Sequence, residues 1–70
     1  MPIDEILYMQ VRLTRQAAER WGVSIGDAAR TFARHGVPQY IRQFYGLFHL
    51  QGDAANLDEI EQFIQKDPRP

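Results

Sequence analysis

Apolar side chains recur at steps of three and four through almost the whole of this 70-residue chain, and the runs break at Gly22, Gly36 and Gly52. That spacing marks amphipathic helices, whereas a half-buried strand alternates at every second residue. No stretch alternates, so the chain reads as all-α, a compact single-domain bundle of about four short helices near residues 3–21, 24–35, 38–50 and 57–66. Residues 1–66 form the expected domain, and 67–70 the expected frayed tail.

Local signals support each boundary. Pro2 and the acids Asp4 and Glu5 suit a first helical turn, and Gly22 stops that helix. Ser24 with Asp27 three residues on has the shape of a capping box, and Gly36 falls where a left-handed residue closes a helix. The third segment carries Tyr40, Ile41, Phe44, Tyr45, Leu47 and Phe48, apolar around more than one face, which predicts the central helix. The expected core comprises Ile6, Leu13, Phe32, Ile41, Phe44, Leu47, Ile60, Phe63 and Ile64. Without cysteine, so small a chain has no disulfide to hold it and depends on apolar packing or a partner.

The net charge of −1 is unevenly spread. Arg12, Arg15, Arg20, Arg30, Arg34 and Arg42 against Glu19 and Asp27 make residues 12–42 basic, and both ends are acidic. The plainest explanation is solvated helix faces with pairs within a helix, Arg15 with Glu19 and Asp27 with Arg30. The longest charge-free run, residues 43–52, is far shorter than the ~20 apolar residues of a membrane span. Asp4 and Glu5 stand where a secretory leader would be basic and then apolar, so a cytoplasmic protein without membrane contact is expected.

Reactive chemistry is sparse. His35 and His49 lie too far apart for a helical metal motif, and no glycine pattern cradles a nucleotide. Ser24, His35 and Asp27 could be assembled on paper as nucleophile, base and acid, but Ser24 is better explained as a helix cap. No catalytic residue, metal or cofactor is expected, and the chain reads as a non-enzyme. His49, near the end of the third segment, is the polar residue of most interest, as a cap for helix carbonyls or a partner contact. Residues 15–30 resemble the core of a helix-turn-helix, with Ala18 at the helix contact, Gly22 in the turn and Arg30 and Arg34 available to phosphates. Against that reading, Asp27 would face the groove and the charge balance is not basic.

A longer pattern covers the second half: Phe32-x3-Gly36-Val37-x2-Tyr40-Ile41-x3-Tyr45-x-Leu47-Phe48-His49-x2-Gly52, then Asp58-x-Ile60-x2-Phe63-Ile64. It resembles a small bacterial family known only as a domain of unknown function, with Phe48 standing where that family usually has leucine. The resemblance implies a compact helical protein, often encoded beside a toxin-like protein similar to ADP-ribosyltransferases and therefore suspected of neutralising it. It brings no catalytic residues. The expected function is thus a protein–protein interaction module, an antitoxin in its sharpest form, with a helix-turn-helix DNA-binding regulator as the alternative. Tyr40, Arg42, Tyr45 and His49 are the expected partner contacts, the partner being a cognate toxin or a second copy of the chain; Arg30 and Arg34 would serve the DNA-binding alternative.

Overall fold

The computed structural model describes the backbone from Pro2 to Pro68 and side chains from Glu5 onward. Five helices follow in order: α1 (Pro2–Trp21), α2 (Ile25–Arg34), α3 (Val37–Gln43), α4 (Tyr45–Leu50) and α5 (Asp53–Lys66), and no strand occurs among the described residues. α1 packs on α2, α3 and α5, while α3 touches each of the other four. The central position expected for the third segment therefore belongs to its first half.

The two glycine stops work through backbone conformation. Gly22 has φ +68°, its N–H bonds the Glu19 carbonyl and the next N–H, from Val23, returns to Ala18 at 3.0 Å. This closing arrangement satisfies carbonyls that the end of α1 would otherwise leave open. Ser24 Oγ then accepts the Asp27 N–H at 3.0 Å and starts α2. Gly36, at φ +69°, turns the chain from α2 into α3, where Pro38 sits in the first turn without losing a helical hydrogen bond.

Two boundaries depart from the sequence expectation. The helix expected over 38–50 is broken at Phe44, whose φ of −111° and ψ of 28° lie outside the helical region. In an unbroken helix Val37, Ile41, Phe44 and Phe48 would share one face; the bend, next to the weak helix former Gly46, turns Phe44 outward and leaves Phe48 pointing in. Phe48 is 1% exposed and Phe44 41%. The last helix begins at Asp53 rather than 57 because Asp53 and Asn56, residues typical of turns, both have partners elsewhere in the fold.

The core holds Met9, Leu13 and Ala17 of α1, Phe32 of α2, Val37 and Ile41 of α3, Phe48 of α4, and Leu57 and Ile60 of α5. Burying each large apolar side chain stabilises by ~1.5–3 kcal/mol. Leu13, Phe32, Ile41 and Ile60 are buried as expected, Phe63 and Ile64 pack partly buried at the margin, and Ile6 is half-buried. Phe44 and Leu47, expected in the core, are corrected to the surface, because the bend at Phe44 redirects both.

The uneven charge is resolved mainly between helices. Arg12 grips Asp53 with two hydrogen bonds of 3.1 Å, and Gln16 adds a third at 2.9 Å. Arg20 reaches Asp58 at 2.8 Å and Glu61 at 3.3 Å, and Trp21 Nε1 donates to Glu61 at 2.8 Å. The acidic α5 is thereby fastened along the basic side of α1. The pair Asp27–Arg30 forms within α2 as expected, but among the described residues no ion pair joins Arg15 to Glu19. Asp67, assigned by sequence to a frayed tail, is held by His35 Nδ1 at 2.8 Å in a nearly buried contact; Arg69 and Pro70 lie outside the described residues.

Candidate interaction surface

The four expected partner contacts do not form one patch. Tyr40 is built into the fold: its ring stacks on Phe63 with centroids 4.0 Å apart, and its hydroxyl donates to Glu59 at 2.9 Å. Burial first, and then the Glu59 carboxylate, pushes the Tyr40 phenol above its ordinary value. Tyr45 and His49, one turn apart on α4, do come together, with rings stacked at 5.6 Å. His49 is exposed and stacks on Tyr45 instead of capping helix carbonyls. Arg42 is exposed in a separate hollow with Gln10, Pro38 and Gln39.

The surface is organised around residues that the sequence reading did not select. Leu7, Tyr8 and Val11 form an exposed apolar ridge on the outer side of α1, with Tyr8 66% exposed. Their positions place them on the side of the helix away from Met9, Leu13 and Ala17. One flank of the ridge descends into a hollow of about 520 Å³ floored by Met9 and Phe48 and walled by Glu5, Arg12, Tyr45 and His49. There the Arg12 guanidinium, held by Asp53, lies 5.4 Å from the Tyr8 ring centroid. The other flank descends into a groove of about 320 Å³ between α1 and α2, lined by Val11, Thr14, Arg15, Ile25, Ala29 and Pro38. Gln10 braces its edge by donating to the Pro38 carbonyl at 2.8 Å.

A second apolar series inside α1 was the available signal. Ile6, Met9, Leu13 and Ala17 already make one stripe at helical spacing, so Leu7, Tyr8 and Val11 are more apolar residues than one buried face can take. The same excess occurs on α4, where Leu50 is 83% exposed and Leu47 52%.

The remaining sequence candidates separate. Ser24 caps α2, Asp27 holds Arg30, and His35 faces Asp67, so these residues have distinct structural partners. Arg34 is exposed and carries no ion pair among the described residues. The three residues Gly22, Val23 and Ser24 between α1 and α2, with Ala18 and Ala28 buried, are compatible with a helix-turn-helix connection. Among the described residues no helix is long and apolar enough to cross a membrane.

No curated protein and no solved structure matches this chain. Residues 8–67 match the family described as protein of unknown function (DUF3791). That match takes in the exposed ridge from Tyr8 onward, the groove between α1 and α2 and all of α2 to α5, and the chain belongs to this family.

Proposed function

We propose that this chain is a non-enzymatic binding module for another protein, acting in the bacterial cytoplasm, and that its sharpest form is the neutralising partner of a toxin. The ridge of Leu7, Tyr8 and Val11, with a hollow on each side, carries the reading. Exposed apolar side chains that gather beside concave surfaces and arginines have the composition of interface centres and rims. Tyr and Arg are the residue types that most often anchor such contacts. The resemblance to a family encoded beside ADP-ribosyltransferase-like proteins makes a toxin of that type the first partner to test.

The experiment is co-expression with the product of the adjacent gene, followed by size-exclusion chromatography of the purified mixture. Co-elution as one complex is expected. Separate elution of a monomeric chain and its neighbour's product would end the antitoxin reading.

The three-residue connection between α1 and α2 favours one second reading, a DNA-binding regulator using Arg30 and Arg34. Arg30 is engaged by Asp27, which puts a carboxylate at the start of the would-be recognition helix. Binding to its own promoter at physiological salt, weakened steeply by added salt and by Arg34→Ala, would promote this alternative.

A further inference from the structure

From the groove between α1 and α2 we infer that the partner offers an acidic amphipathic helix, seated over Val11, Ile25 and Ala29 with carboxylates reaching Arg15 and Arg42. This deepens the protein-binding reading and rests on it. The apolar lining of the groove comes from Val11, Ile25, Ala29 and Pro38 on three helices, and Ile25 is 56% exposed although it begins a helix whose other face is core. A groove of this kind accepts apolar side chains spaced one helical turn apart.

Charge selects the occupant. Arg12, Arg20 and Arg30 each hold a carboxylate of their own chain, whereas Arg15 and Arg42 hold none among the described residues. Arg15 lines the groove, and Arg42 lines the adjoining hollow that shares Gln10 and Pro38 with it. A docked helix would strip water from both guanidinium groups, which favours a segment carrying Asp or Glu and penalises a basic one. The most acidic helix of a second copy, α5, does not supply that segment, because its Asp53, Asp58, Glu59 and Glu61 are already bonded within the chain. Nucleic acid would gain little from the apolar lining and would meet the Asp27 carboxylate on α2.

Titration of the isotopically labelled full chain with two short synthetic helical peptides tests the inference by nuclear magnetic resonance. Both carry leucine at one-turn spacing; one has Glu and the other Lys at the flanking positions. The Glu peptide is expected to shift the amide signals of Val11, Thr14, Arg15, Ile25 and Ala29, with affinity reduced ~10-fold or more by Arg15→Glu with Arg42→Glu. The Lys peptide is expected to leave them unmoved. Equal binding of both peptides, binding of neither, or shifts centred on Tyr45 and His49 would overturn the inference. So would the same amides moving with protein concentration alone, or moving more readily with duplex DNA. If the adjacent gene's product still forms a complex that ignores Ile25→Glu, this groove is wrong and the protein-binding reading survives; if no complex forms with the wild type, that reading fails itself.

Discussion

The side-chain amide of the fully buried Asn56 donates to the Phe48 carbonyl at 3.0 Å, while its oxygen accepts from Gln51 at 2.9 Å. One residue of α5 thereby satisfies a carbonyl near the end of α4 and joins the two elements. Asn56→Leu is expected to lose ~1–3 kcal/mol of unfolding free energy, because it leaves the Phe48 carbonyl with only the long 3.4 Å bond from the Gln51 N–H and takes the acceptor from the Gln51 side-chain amide. Urea denaturation measures it, and a loss near zero would mean that water replaces the amide.

The bend at Phe44 assigns opposite consequences to two neighbouring aromatics. Phe48→Ala should cost ~3–5 kcal/mol as a cavity in the core. Phe44→Ala removes an exposed ring that touches Tyr40 at 5.1 Å between centroids, and should cost ~1 kcal/mol or less. Equal losses in paired denaturation curves would restore an unbroken helix through this segment.

Asp53 makes stability depend on acid. Its hydrogen bond from Gln16, followed by those from Arg12, holds its carboxyl below the ordinary value against the opposing effect of burial. A carboxyl more acidic in the folded than in the unfolded chain stabilises fully above the unfolded value of ~3.9, and that stabilisation disappears as pH falls through the folded value. Asp53→Asn should therefore be less stable than wild type at neutral pH, with the difference shrinking below about pH 4. Thermal melts across this range check the direction; a difference that grew in acid would contradict the sign.

How much of this was legible follows from what each residue interacts with. Gly22 and Gly36 announce their turns because their positive φ is a local requirement that few other residues meet. The start of α5 was hidden because Asp53 and Asn56 are turn-formers by local preference, and their helical placement rests on Arg12, 41 residues before Asp53, and on the Phe48 carbonyl. Phe44 misled for the reverse reason: its spacing fits the core face of a straight helix, and a bend is invisible to periodicity. At the surface, the Tyr45–His49 stack follows from their one-turn separation. Leu7, Tyr8 and Val11 could be seen as outward only once the opposite face of α1 had been filled by Met9, Leu13 and Ala17.

Growth of cells expressing the product of the adjacent gene, the proposed toxin, with either wild type or a Tyr8→Ala, Val11→Glu variant of this chain, tests the ridge most directly. Both substituted side chains are exposed, so the variant should keep the wild-type circular dichroism spectrum and melting transition. The account predicts that wild type restores growth and that the folded variant does not, with complex formation lost in parallel. Equal rescue by a folded variant would contradict it and remove the outer face of α1 from the function of this protein.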